Sequence, residues 1–235
     1  MKTLIIIPAY NERENIKRVI DHLAQNFPKY DYIIINDCST DDTEAICKEN
    51  GYNFLSLPSN LGIGGGVQTG YKYALENGYD IAIQMDGDGQ HNPEYLDKLV
   101  EKIESGEADI AIGSRFITKE GFQSSGMRRF GIKFLSTLIK FCCGADVKDV
   151  TSGYRAVNRR FIELYSKNYA DDYPEPEAIV AGKMYGGKIA EVPVIMNERI
   201  GGVSSISPVK SVYYMIKVSL AILFYRATFS GGNRK

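Results

Sequence analysis

The sequence has no tryptophan, no excess of either charge and no long apolar run, and each absence excludes something. With 28 Lys and Arg against 29 Asp and Glu, nothing asks for a nucleic-acid partner. No stretch reaches the roughly 18 apolar residues of a membrane span. The opening Met-Lys-Thr-Leu-Ile-Ile-Ile-Pro run is too short for a signal peptide. The four cysteines, Cys38, Cys47, Cys142 and Cys143, lack zinc spacing. Cys142 and Cys143 are adjacent and cannot close an ordinary disulfide loop, so buried, reduced thiols in a cytoplasmic protein are expected. There is no Gly-Lys-Ser/Thr, hence no P-loop. Internal repeats, low-complexity segments and linkers are also missing.

What remains is a globular composition: 235 residues, 44% hydrophobic and 24% charged, enough for one large domain. Short apolar runs at Leu4–Ile7, Tyr32–Ile35, Phe54–Leu57, Ile81–Met85 and Ile110–Ile112 read as buried strands. Between them lie helical stripes. Ile16, Val19, Ile20 and Leu23 follow the i, i+3, i+4, i+7 rule, on a helix opened by Asn11 and Glu12. Tyr95, Leu99, Val100 and Ile103 mark another helix. The glycine-rich segment from Asn60 to Gly70 runs into a third, ending near Glu76. This alternation predicts a parallel sheet wrapped by helices.

The most informative stretch is Ile81-Ala-Ile-Gln-Met-Asp86-Gly-Asp88-Gly-Gln90-His91. A strand ends there in two carboxylates one residue apart, followed by an Asn92 N-cap and Pro93 at the first helical position. Ligands of open α/β sheets bind at that strand end. Two hard oxygen donors on a short turn suit a divalent cation shared with phosphate oxygens and water, and Gly87 and Gly89 clear space for a close ligand. A solvated acidic turn is the plainer alternative. Asp37, at the end of the second strand, is placed to accept from a nucleobase N–H, or to cap a helix. The glycine segment lacks the last glycine of G-x-G-x-x-G, yet could present N–H groups to a phosphate at a helix N-terminus. An acid that reads a base, a glycine turn and a metal turn on one edge describe a nucleoside-diphosphate site.

The whole pattern resembles the inverting glycosyltransferases of family 2. The likeness rests on Ile5-Ile-Ile-Pro8-Ala-Tyr-Asn11-Glu12, Asn36-Asp37-x-Ser39-Thr40-Asp41-x-Thr43, Asn60-x-Gly62-x-Gly64, Asp86-Gly-Asp88-Gly-Gln90-His91-x-Pro93 and Gly113-Ser114-Arg115. It continues through Asp149-Val-Thr-Ser152-Gly153-Tyr-Arg155, Glu191-Val-Pro193 and Arg199-x-x-Gly202-x-Ser204. Within the family, Gln90 and His91-Asn-Pro93 are most similar to dolichyl- and polyprenyl-phosphate sugar synthases. The resemblance implies an α/β GT-A fold, a Rossmann-like, mostly parallel sheet flanked by helices. It implies a nucleotide-sugar site at Pro8, Ala9, Tyr10, Asn11, Glu12, Asp37, Gly62, Gly64, Asp86, Gly87 and Arg115. Asp86, Asp88 and Gln90 would hold Mg2+ or Mn2+. Asp88, Arg155, Glu177 and Arg199 would serve catalysis, the arginines facing phosphates. The donor implied is a nucleotide sugar, a UDP-sugar by preference, and the acceptor polyprenyl phosphate at the inner membrane face.

An anionic lipid phosphate needs arginines more than a base, whereas a sugar hydroxyl needs a general base. Glu175 or Glu177 in Tyr173-Pro-Glu-Pro-Glu177 would supply one, or would be first-turn acids of a helix. Without tryptophan the chain cannot carry the Gln-x-x-Arg-Trp motif of processive polysaccharide synthases. Transfer to a saccharide hydroxyl in cell-wall or capsule assembly, a nucleotidyltransferase and an inactive nucleotide-binding module are the alternatives.

Two stretches are both apolar and basic. Arg128–Cys143 and Pro208–Phe229 carry Arg128, Arg129, Lys133, Lys140, Lys210, Lys217 and Arg226 and no acid. They read as amphipathic helices for a membrane surface, or as core-packing helices, an oligomer interface or the dock for a small membrane-protein partner. Residues 1–207 would form the catalytic domain and 208–235 a C-terminal helix and tail, in the same domain or apart as a surface element.

Overall fold

The structure, a computed structural model, describes residues 1–118, 120, 126–197 and 208–229, with backbone alone at 127, 128, 208–212 and 229. The first half alternates as the periodicity predicts: β1 (Thr3–Ala9), α1 (Ile16–Asn26), β2 (Asp31–Asn36), α2 (Thr43–Glu49), β3 (Phe54–Ser56), α3 (Gly62–Glu76) and β4 (Ile81–Gln84). A 3-10 turn at Pro93–Tyr95 leads into α4 (Leu96–Glu104) and β5 (Ile110–Ser114). Then come α5 (Gly126–Cys143), β6 (Arg155–Asn158), α6 (Arg159–Lys167), α7 (Pro174–Met184), β7 (Ile189–Pro193) and α8 (Pro208–Phe229).

The described strands form one seven-stranded sheet in the order β3-β2-β1-β4-β6-β5-β7. It is parallel except at β6, which runs antiparallel to both β4 and β5. Strand residues feed opposite faces in turn, as the period of two demands. Leu4 and Ile6 join one core with α3, α5, α6 and α7, while Ile5 and Ile7 join the other with α1 and α4.

The sequence reading needs two corrections here, and it passed over one strand. β1 does not stop at Pro8, because Pro8 pairs with Ile35. Ile6 faces β4, accepting from Met85 N at 3.0 Å. Pro8 has the same parity, and the β4 ladder has ended at Gln84, so the missing N–H costs no ladder bond. Asn11 and Glu12 do not open α1 but form the turn before it, with Asn11 in the left-handed region at φ 56 and Glu12 O accepting from Asn15 N and Ile16 N. β6 has only four residues, Arg-Ala-Val-Asn, too short to show a period.

α8 packs on α5 and α7, and its Val218 and Ile222 are buried in the same core as the sheet. Its outer side carries Tyr213, Ile216, Leu220, Leu223 and Phe224, all exposed. The helix is therefore apolar inward and outward rather than two-faced. α5 buries Ile132, Leu135, Ile139 and Cys142 and exposes Phe130, Phe134 and Phe141 among Arg129, Lys133 and Lys140. No helix among the described residues is long and apolar enough to cross a membrane. All four cysteines are free, with Cys47 and Cys142 buried and Cys38 and Cys143 partly exposed.

Candidate active site

Parallel strands β2, β1 and β4 end on one edge of the sheet, so the loops that follow them meet there. The turn after β4 is held by its own backbone. Asp86 N donates to His91 Nδ1 at 2.9 Å, which leaves the ring proton on Nε2, 3.8 Å from Asp86 Oδ2. The His91 ring stacks on Tyr154 at 4.8 Å and 12°. Tyr154 is buried, which pushes its hydroxyl well above the usual range, so it stays a donor, to Asn92 O at 3.0 Å. Asn92 Oδ1 accepts from Glu94 N at 3.0 Å, the expected N-cap. Asp88 Oδ1 accepts from Gln90 N at 2.9 Å, and Asn197 N donates to Gln90 O at 2.9 Å.

The Asp86 side chain is 35% exposed, with Oδ1 accepting from Gln84 Nε2 at 3.3 Å. Gly153 lies across from it, and a Cβ there would stand 3.4 Å from both carboxylate oxygens, so glycine keeps that side open. Among the described residues no group of three or more His, Cys, Asp or Glu could cage a metal ion. The two carboxylates of the turn, Asp86 and Asp88, are hard oxygen donors of the kind that suit a cation whose other ligands are diphosphate oxygens and water.

The two loops expected to hold a nucleoside, after β1 and β2, are bonded to each other. Asn11 N donates to Ser39 Oγ at 3.0 Å, Asn11 Oδ1 accepts from Thr40 N at 2.8 Å, and Glu12 N donates to Thr43 Oγ1 at 2.9 Å. Asn11 is thus a staple between loops, and Glu12 is buried with Oε2 accepting from Asn15 at 2.8 Å. Asp37 is also buried. It caps nothing in α2; its Oδ1 accepts from Leu61 N at 2.7 Å and ties β2 to the start of α3. Pro8 and Ala9 are buried at the end of β1, whereas Tyr10 is exposed. A Cβ on Gly87 would stand 3.3 Å from Pro8 O, so the metal turn tucks over that strand end.

The glycines of α3 behave differently from the phosphate cradle expected. Gly64 N donates to Asp171 O at 3.0 Å, and a Cβ there would lie 1.9 Å from Ala170 O. Gly64 serves the close seating of the 170–171 chain, and its N–H is already engaged. Gly62 begins the helix at φ 75, with its N–H donating to Asn60 Oδ1 at 3.2 Å.

The arginines are anchored. Arg115 is buried and grips Asp149 through Nε at 2.7 Å and Nη2 at 2.6 Å. Asp149 is held in turn, since its N–H and that of Lys148 donate to the Glu191 carboxylate at 2.9 Å. Arg155 has no exposed surface. It donates to Ser152 O through Nε and Nη2 and to Glu175 O through Nη1, clamping β6 to the start of α7 instead of facing open phosphate. Arg199 lies outside the described residues.

The two glutamates of α7 part ways. Glu177 faces Lys217 and Asp171, with burial raising its pKa and Lys217 opposing the rise. Glu175 faces Arg155, Asp86 and Gln84, and burial raises its pKa too. Of the two, Glu175 and not Glu177 is the one that feels the Asp86 charge. Sequence reasoning missed Gln84 and gave Asp149 and Tyr154 no role. A lone amide in the apolar run Ile81-Ala-Ile-Gln84 was the available signal.

The family model described as Glycosyl transferase family 2 matches residues 4–165. The polyprenol monophosphomannose synthase of Mycolicibacterium smegmatis is 32% identical over 219 residues, covering 88% of this chain and 81% of that protein. The UDP-N-acetylglucosamine–dolichyl-phosphate N-acetylglucosaminyltransferase of Methanococcus voltae is 32% identical over 213 residues, covering 81% and 83%. In fold, the chain resembles glucosyl-3-phosphoglycerate synthase from Mycobacterium tuberculosis, crystallised with Mn2+, UDP and glucosyl-3-phosphoglycerate, with a TM-score of 0.71 and 22% identity over 96% of this chain and 79% of that one. A mixed sheet of GT-A type, a family model spanning most of the chain and relatives of nearly equal length agree: this protein belongs to glycosyl transferase family 2 and is a glycosyltransferase.

Proposed function

We propose that this enzyme transfers a sugar from a nucleotide sugar, a UDP-sugar by preference, to polyprenyl phosphate at the inner face of the membrane, and that it requires Mg2+ or Mn2+. The observation that carries the reading is the Asp86–Asp88 turn, a two-carboxylate set on the same sheet edge as the loops after β1 and β2. The two curated relatives are named for lipid-phosphate acceptors, one for mannose and one for UDP-N-acetylglucosamine. The structural neighbour was crystallised with UDP and Mn2+.

The reaction is an in-line displacement in which the acceptor phosphate oxygen bonds to the anomeric carbon as the bond to the diphosphate breaks. Asp86, Asp88 and Gln90 would hold the cation, which supplies neutralisation of the charge on the leaving diphosphate. The loops carrying Pro8–Glu12 and Asp37 orient the nucleoside. A lipid phosphate monoester, with a second pKa of about 6, reaches the site already anionic. No residue of this chain then has to remove a proton from it. Glu175, whose main-chain oxygen is held by Arg155, is built in as an anchor.

The surface of α5 and α8 supports the location. Exposed Phe130, Phe134, Phe141, Ile216, Leu220 and Phe224 lie on two helices without a single acidic residue, in a chain of net charge −1. Apolar burial with cations toward anionic headgroups is the chemistry of a peripheral membrane protein.

The test is incubation with a panel of nucleotide sugars and polyprenyl phosphate, followed by detection of lipid-linked sugar. Formation that stops in excess chelator and in Asp88→Asn, whose amide is a far poorer metal ligand, is the expected result. Transfer to free saccharides alone would overturn the acceptor, and full activity in chelator would overturn the metal.

A further inference from the structure

Gln84 is the one polar residue of β4, and it is fully buried. Its Nε2 donates to Asp86 Oδ1 at 3.3 Å. Gly153 presses from the side, since a Cβ there would stand 2.8 Å from Nε2. The Oε1 atom is buried with no hydrogen-bond partner. An unsatisfied buried carbonyl is costly, yet turning the amide over would set that oxygen against the Asp86 carboxylate. The orientation is therefore dictated by that carboxylate.

We propose that Gln84 is a positioning residue of the metal-binding turn, holding Asp86 Oδ1 so that Oδ2 is presented to the cation. This rests on the reading of Asp86 as a metal ligand. Asp86 follows a strand end, where the backbone alone leaves its χ1 free to turn. The amide of Gln84, fixed on a fully buried strand, holds it. Partners that orient a ligating carboxylate typically change metal affinity 10–100-fold when lost.

The test is titration of Mn2+ into the protein–UDP complex, read by electron paramagnetic resonance, beside UDP binding without metal. Gln84→Met keeps the volume and removes both donors. Its Mn2+ affinity should fall about 10–100-fold while metal-free UDP binding stays as in the wild type. Gln84→Asn keeps the amide but draws it back from Asp86 Oδ1 by one methylene, and should lose Mn2+ affinity as well. Unchanged Mn2+ affinity in folded Gln84→Met, or an equal loss of metal-free UDP binding, overturns the proposal. Should Gln84→Met fail to fold, unchanged Mn2+ affinity in Gln84→Asn overturns it. A wild-type UDP complex that binds no Mn2+ overturns the metal reading itself, which separates the two failures.

Discussion

Asp86 is held to His91 through the backbone: its N–H donates to His91 Nδ1 at 2.9 Å, beneath a Tyr154 ring stacked at 4.8 Å. The side chain five residues on thus closes the turn that carries Asp86 and Asp88. His91→Phe keeps a ring for Tyr154 but leaves a buried N–H unpaired, a loss of about 1–3 kcal/mol. His91→Asn restores an acceptor. Transfer at limiting Mn2+ should fall more than tenfold in His91→Phe and recover in part in His91→Asn, with urea melts run on both. Equal activity in the two variants would deny the hydrogen bond its role.

Arg115 and Asp149 form an ion pair in which the side chains are 9% and 0% exposed. Removing one partner of such a pair strands the other charge, at about 3–5 kcal/mol. Asp149→Ala should therefore destabilise strongly in a urea melt, while the double replacement Arg115→Met with Asp149→Leu should cost less than Asp149→Ala alone. The opposite ranking would mean that the pair's hydrogen bonds, not the stranded charge, dominate.

Burial raises the Glu175 pKa above its ordinary value of 4.5. The folded state then binds the proton more tightly than the unfolded one. The stabilising contribution is complete below the unfolded pKa and is lost as pH rises through the folded pKa. Wild type should thus lose stability relative to Glu175→Gln as pH climbs from about 4.5 toward neutrality. Thermal melts of both across that range check the sign. Transfer by Glu175→Gln should also persist, because a phosphate acceptor needs no base, whereas a loss of 10²–10⁴-fold would mark Glu175 as a general base for a hydroxyl acceptor.

The exposed face of α5 and α8 should bind anionic vesicles, and binding should weaken as salt rises. Arg129→Glu with Lys133→Glu, both exposed on α5, should weaken binding by at least about tenfold, at roughly 1 kcal/mol per basic residue. Co-sedimentation at several salt concentrations reads this. Protein that stays in the supernatant even at low salt would direct the same face to a protein partner.

The sequence by itself determined what is local. The strand-then-turn character of Ile81–His91, the Asn92 cap, the α1 stripe and the edge where Asp37 and Asp86 emerge all follow from spacing over a few residues, and each is present. The tertiary structure decided partners, because these come from distant chain. Asp149 lies 34 residues from the Arg115 it neutralises, and Glu175 is brought to Asp86 by a strand, β6, that inserts antiparallel between β4 and β5. That Arg115 is spent on Asp149 and Arg155 on Ser152 and Glu175 is decided by burial and by hydrogen bonds between distant segments. Gly64 shows the same division: its motif marks a close approach, and only the fold shows that the approaching group is the backbone of Ala170 and Asp171.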